Sequence, residues 1–292
     1  MRKVLYLSVF LLVCQISYAQ PAGPKLKKNA YKSTQWYVGL SGGANYNMVN
    51  VINDFSVLQA ANRFDDSDFS KNYTLTKNIG ATYGIKAMFQ FEQRLVLGSG
   101  LMINELKYNY TTSLACENEI VAFDHDQRFR YLDVPVYFRF MIRKLNSRMW
   151  NRSWRKPTVP KIIPFVQGGL NFGFLLNSNK EVNKSITQNG FTVNDLNISE
   201  DVNGLLQNTT VGAFVGIGAR FKLGSVYITP QANFRQGFSN VANSRRRFSN
   251  ENLVQNAYDV FDDKNFTSIE AVISIIVPLK YLSKRDFLPV EI

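Results

Sequence analysis

Eight stretches of this chain alternate apolar with small or polar side chains at a period of two, each over ten or more residues: 36–48, 79–91, 94–104, 131–142, 162–176, 210–222, 226–235 and 268–281. Period two is the strand period, because successive Cβ atoms point to opposite faces of a sheet. Strands of soluble proteins average about 5–6 residues, whereas a tilted strand needs about 9–11 to cross a bilayer. In 131–142 the apolar face is Leu132, Val134, Val136, Phe138, Phe140 and Ile142, opposite Asp133, Tyr137 and Arg139. In 210–222, Val211, Ala213, Val215, Ile217, Ala219 and Phe221 oppose Gly212, Phe214, Gly216, Gly218 and Arg220. A soluble barrel turns its apolar face inward. Small and charged residues on the other face suit a narrow lumen instead, so the apolar face is expected to meet lipid.

The connections point the same way. Glu92-Gln93 and Leu223-Gly224-Ser225 are tight turns, while 49–78, 105–130, 177–209 and 236–267 are long, polar links rich in Asn, Asp and Ser. Alternating short and long links are the habit of outer-membrane barrels, with the long links outside the cell. No run of 18 apolar residues is present to span a bilayer as a helix. Pro135, Pro164, Pro230 and Pro278 fall inside the strands and are expected at strand ends or bulges, since proline lacks a ladder donor. The N-terminus reads as an export signal: Met1-Arg2-Lys3, an apolar run over 4–13, and small residues at Ser17 and Ala19. The expected organisation is a signal peptide over 1–19, a periplasmic segment over 20–34, an eight-stranded antiparallel up-and-down transmembrane β-barrel over 35–282, and a periplasmic tail over 283–292.

Composition removes most chemistry. Two cysteines and one histidine cannot supply a disulfide scaffold or a His-rich metal site. His125, between Asp124 and Asp126, is the single candidate base for a lipid-modifying barrel enzyme. No Gly-x-Ser-x-Gly elbow accompanies it, and a solvated acidic outer loop is its expected setting. Gly216-Ile217-Gly218 lacks the strand–turn–helix context of a phosphate loop, and those glycines are expected to leave room inside the barrel. Asp65-Asp66-Ser67-Asp68 lacks the spacing and glycine of an EF-hand loop. No cofactor, metal or catalytic residue is expected.

Lys86, Asp133, Arg139, Arg220, Arg235 and Glu270 all fall on the inward faces. An eight-stranded barrel has an interior just wide enough for side chains to fill. These charges are therefore expected to pair into a plugging network rather than line a channel; a small channel or ligand-binding barrel is the alternative. The net charge is +12, yet the basic residues carry no RNA-binding signature and the chain reads as exported, so no nucleic-acid partner is expected. The link 143–161 holds seven basic residues and no acid. Within it Trp150 and Trp154 lie four apart among Arg148, Arg152 and Arg155, a spacing that sets both rings on one face of a turn. Outer-membrane lipid, or an acidic periplasmic partner belonging to a secretion machinery, is the expected contact of that link; a merely solvated turn is the alternative.

The fourth stretch, Arg130-Tyr131-Leu132-Asp133-Val134-Pro135-Val136-Tyr137, resembles the Tyr-Leu-x-[Ile/Val]-Pro-[Leu/Val] strand of the PorT-type outer-membrane β-barrel family of Bacteroidetes. Ile163-Pro164-Phe165-Val166-Gln167-Gly168-Gly169 is similar to that family's next strand, and the Ala19-Gln20 junction to its signal peptides. The resemblance spans about residues 33–282. It implies a barrel of non-enzymatic, structural or accessory character. One family member is linked to type IX protein secretion, so the resemblance also implies a secretion or envelope-assembly role. The link 143–161 is long for that family's periplasmic turns, and the chain runs past the last strand instead of ending on its aromatic residue.

Overall fold

A computed structural model describes residues 35–57, 69–74, 78–91, 94–116, 119–142, 162–188, 191–223 and 226–279. The expected signal peptide, the N-terminal segment, the calcium candidate at 65–68, the basic link 143–161 with Arg148, Trp150, Arg152, Trp154 and Arg155, and the tail all lie outside the described residues.

The described chain forms a single sheet of ten strands rather than eight: β1 Gln35–Asn53, β2 Phe69–Thr74, β3 Ile79–Gln90, β4 Leu95–Cys116, β5 Glu119–Met141, β6 Ile162–Gln188, β7 Phe191–Asp201, β8 Thr209–Leu223, β9 Val226–Gly237 and β10 Asp263–Pro278. Every pairing is antiparallel. Eight strands close on themselves in the order β1-β3-β4-β5-β6-β8-β9-β10 and back to β1. The other two attach above this ring, β2 along the end of β4 and β7 along the end of β6.

The ring is inside-out relative to a soluble domain. Leu40, Phe138, Val215, Ile217 and Ile273 are 58–65% exposed on its outer face. Ser41, Gln167, Gln231 and Asn233 are buried inside it. Near the short-link end the outer face carries aromatic residues: Trp36 meets Phe89 at 4.8 Å between ring centroids, and Arg94 lies 5.8 Å from the Phe140 ring. Such a girdle is usual where a barrel meets lipid head groups. On β5 the outward apolar series from Phe140 to Leu132 gives way to Arg130 and Arg128, which join Lys107 around Glu105 of β4 at 3.0–3.8 Å. The change from apolar to charged outer positions marks where the lipid-facing band ends.

Above that level the expected loops are largely strand. The links 105–130 and 177–209 contain the upper halves of β4, β5 and β6 and the whole of β7. The alternation there persists with its faces reversed. Leu106, Tyr108, Tyr110, Phe123 and Phe129 turn inward into a buried cluster, and polar residues face water. Sequence reading for an outward apolar face misses such strands for that reason.

The link 238–262 folds as a strap across the outer end, with a 3-10 turn at Ser244–Arg246 and a short helix, α1 (Glu251–Asn256). Asn250 caps α1, its side chain accepting from the Leu253 amide at 3.0 Å, and Leu253 is buried in the cluster with Ala257 and Phe261. Tyr258 follows with φ of 48°, a left-handed turn that favours glycine. The Asp259 amide then bonds back to the Leu253 carbonyl at 3.1 Å, which directs the Asp259 side chain into the barrel.

Prolines behave differently from expectation. Pro164 and Pro278 do sit near strand ends. Pro135 and Pro230 are mid-strand with register unchanged, and the ladder has a gap beside each: no pairing joins β4 to β5 between Ser99↔Val136 and Met102↔Asp133, nor β8 to β9 between Gly218↔Gln231 and Phe221↔Ile228. Losing one donor opens the ladder locally without a bulge.

Candidate functional site: two polar networks inside one barrel

The six inward charges sort into two groups. Asp133, Arg235 and Glu270 form an ion triad: Arg235 reaches Asp133 at 2.5 Å and Glu270 at 3.2 Å. A hydrogen-bonded chain extends it both ways. Toward β1, Asn104 donates to Asp133 at 3.1 Å and Asn45 to Asn104 at 2.6 Å. Toward the short-link end, Asn233 donates to Glu270 at 3.2 Å and Gln167 to Asn233 at 2.7 Å. Arg139 then donates to Gln167 at 2.8 and 3.1 Å and to Gln231 at 3.0 Å. Lys86, Arg139 and Arg220 are buried, with no carboxylate of the described residues in ion-pair range. Arg139 lies over the Phe165 ring at 3.9 Å, and Arg220 between the rings of Tyr37 and Tyr227 at 5.0 and 5.4 Å.

The inward glycines make room for these side chains. A Cβ at Gly98 would stand 2.3 Å from the Tyr137 ring, one at Gly216 would stand 2.2 Å from the Asn233 amide, and one at Gly218 would stand 2.5 Å from Phe165. The free space bordered by Lys86, Asp133, Tyr137, Gln167, Asn233, Arg235 and Glu270 holds about 40 Å³ of water-accessible volume, enough for a few waters.

A second network, absent from the sequence reading, closes the outer end. Asp259 of the strap pairs with Lys180 of β6 and accepts from the Tyr110 hydroxyl of β4 at 2.8 Å. Lys71 of β2 lies 3.4 Å from Asp259 and 2.8 Å from Asp262, and the Tyr73 hydroxyl donates to Asp262. Lys264 of β10 donates to the Tyr108 hydroxyl, which donates to Gln127 of β5. Burial pushes the Asp259 carboxyl up, but Lys180 and Lys71 outweigh it and hold the group well below the usual carboxylate range. Lys264 has no acid among the described residues in ion-pair range, and its ammonium is pushed well down, first by burial and then by Lys71.

His125 corrects the sequence reading directly. It is not in a solvated loop but fully buried on the inner face of β5, stacked on Tyr110 at 4.4 Å and 3.0 Å from the Thr112 hydroxyl. Burial, with Lys180 adding to it, lowers its pKa to about 3. The ring has no exposed surface in this core. Lys180 reaches this core because β6 carries one extra residue where Arg130/Tyr131 of β5 shift from Asn177 to Leu175. Below that bulge Phe165, Gln167 and Asn171 face inward; above it Ser178, Lys180 and Val182 do. The inward parity therefore switches from odd to even numbers.

A family model described as an outer membrane protein beta-barrel domain matches residues 18–243. No curated protein matches the chain. Among solved structures the chain is similar to Neisserial surface protein A at 12% identity and a TM-score of 0.37, with 83% of this chain and 96% of that one covered. It is also similar to OprG from Pseudomonas aeruginosa at 6% identity and a TM-score of 0.36, with 85% and 96% covered. A third is Ail of Yersinia pestis, solved in complex with the heparin analogue sucrose octasulfate, at 10% identity and a TM-score of 0.31, with 83% and 99% covered. With a sheet closed on itself, an apolar outer face and a family match over most of its length, the chain belongs to the outer membrane protein beta-barrel domain family and resides in the outer membrane.

Proposed function

We propose that the protein is a non-enzymatic structural or accessory component of the outer membrane, an eight-strand ring whose closed lumen supports a rigid platform on the cell's outer side. The observation that carries this reading is the strap 238–262, tied into the barrel by the buried Asp259, Asp262 and Lys180, with the half-buried Lys71 bridging both acids. A strap that swings freely would not bury three charged groups. The lumenal ladder from Asn45 to Arg139 supports the same reading, because it crosses the interior where a channel would need an open path. Planar-bilayer recordings of the purified protein should show no steady conductance; stable, sizeable openings would replace this reading with the channel.

A role in protein secretion rests on the resemblance of 130–137 and 163–169 to PorT-type barrels, and an export signal on 1–19 fits it. The link 143–161 would then face an acidic periplasmic partner or anionic lipid, each cation near a charged surface contributing about 1 kcal/mol. Reversing Arg148, Arg152 and Arg155 to Glu should leave the barrel assembled and strip co-purifying partners. A triple variant that keeps its partners and a normal secretion phenotype makes the link a solvated turn.

A further inference from the structure

Within the membrane-spanning ring the inward charges do not balance. Among the described residues, Lys86, Arg139, Arg220 and Arg235 face Asp133 and Glu270, and Arg235 engages both carboxylates. Three cations remain. Arg139 and Arg220 sit on the Phe165 and Tyr37 rings of one buried cluster, and Lys86 borders the same free space as that cluster's Tyr137. Glu270 borders the same free space as Lys86, but its oxygens are hydrogen-bonded to Arg235 and Asn233.

Both arginines keep unspent donors. Arg139, 1% exposed, has no partner for Nη1; Arg220, 3% exposed, has none for Nε or Nη2. The Tyr137 hydroxyl and Thr229 Oγ1 are likewise buried without a partner. Arg139 lies 5.6 Å from the Tyr137 ring, and Tyr37, Tyr137 and Phe165 share one buried cluster against which Tyr227 packs. The aromatic faces beneath Arg139 and Arg220 hold the two planes but leave in-plane N–H groups unused. Buried polar groups normally find partners, and a buried charge without one is costly. Guanidinium forks match a planar or tetrahedral oxyanion in two-point contact, and an ammonium adds a point charge.

We propose that the half of the lumen nearer the short links is an anion site, in which Arg139, Arg220 and Lys86 hold a small oxyanion of the phosphate class, with Tyr137 and Thr229 as hydroxyl donors. The site stands apart from the outer network and does not depend on a secretion role.

Inorganic phosphate is the probe. Calorimetric titration of the purified full-length barrel in detergent should give saturable binding at one site per chain, in a background where chloride at equal ionic strength gives no comparable heat. Arg139→Gln and Arg220→Gln should each weaken binding about tenfold or more, as loss of a charge-assisted contact does. Arg128→Gln, on the outer surface, should bind as the parent does. If either lumenal variant fails to assemble, the parent decides alone, through a phosphate-dependent rise in the temperature at which the folded gel band is lost. No saturable binding to the parent, or unchanged binding in both lumenal variants, overturns the site.

Discussion

The lipid-facing band and the outer extension of this barrel are built from the same strands with opposite rules. On β5, Leu132, Val134, Val136, Phe138 and Phe140 face out and Asp133, Tyr137 and Arg139 face in. A few residues earlier Arg128 and Arg130 face out while Phe123, His125 and Phe129 face in. The solvent has changed and the covalent geometry has not. In lipid the apolar face belongs outside and polar side chains satisfy one another within; in water the preference reverses. A strand continuous across both regions must exchange its pattern at the boundary, and the Glu105, Lys107, Arg128 and Arg130 cluster sits at that exchange.

Buried charge offers the hardest test of the contrast. Asp259→Ala strips the counter-charge from Lys180 in a buried core, and breaking such a pair costs about 3–5 kcal/mol. The strap should become open to added protease while the ring still migrates as a folded band before heating. Loss of both together would mean that the two regions fold as one unit.

The outer faces come next. Phe138→Lys places a cation on the lipid-facing band and should cost about 2–4 kcal/mol in denaturant unfolding from lipid vesicles. Arg128→Ala, ten residues away and above the band, removes an exposed pair to Glu105 and should cost at most about 1 kcal/mol. Equal costs would erase the distinction between the two surfaces.

Acid should discriminate between them as well. His125 binds a proton near its ordinary pKa of about 6.5 when the extension is unfolded, but only at about 3 when folded. Between those values the unfolded form carries more protons, so the stability of the extension is full above about pH 6.5 and falls as pH drops toward 3. The groups acting on the ring are Lys180 of β6, Lys71 of β2, Lys264 of β10 and Asp259 of the strap. The slope for one group is about 1.4 kcal/mol per pH unit. Protease protection of the strap, followed from pH 7 to 4, should decline in the parent and decline less in His125→Phe.

Within the band nearly every inward or outward assignment was readable from the sequence, because lipid on one side and a packed lumen on the other enforce a strict period of two. The inward placement of Lys86, Asp133, Arg139, Arg220, Arg235 and Glu270 follows from that period alone. Their partners do not, since Gln167, Asn233 and Asn104 look like any other inward amide. In the extension Tyr108 and Tyr110 carried the signal, a period-two aromatic pair inside what looked like a polar loop. Lys180 carried none: only the extra residue in β6 turns it inward. Asp259 and Asp262 were hidden differently, since a strap that crosses the barrel end has no periodicity to read.

Whether the apolar band of β5 is the membrane boundary can be measured directly. In a background lacking Cys14 and Cys116, single cysteines at the outward positions 126, 128, 130, 134, 136, 138 and 140 can be treated in intact cells with a membrane-impermeant thiol reagent. Positions 126, 128 and 130 should label readily, and 134, 136, 138 and 140 should stay protected until the membrane is dissolved. Labelling at 136 and 138 in intact cells, equal to that at 128, would contradict the account.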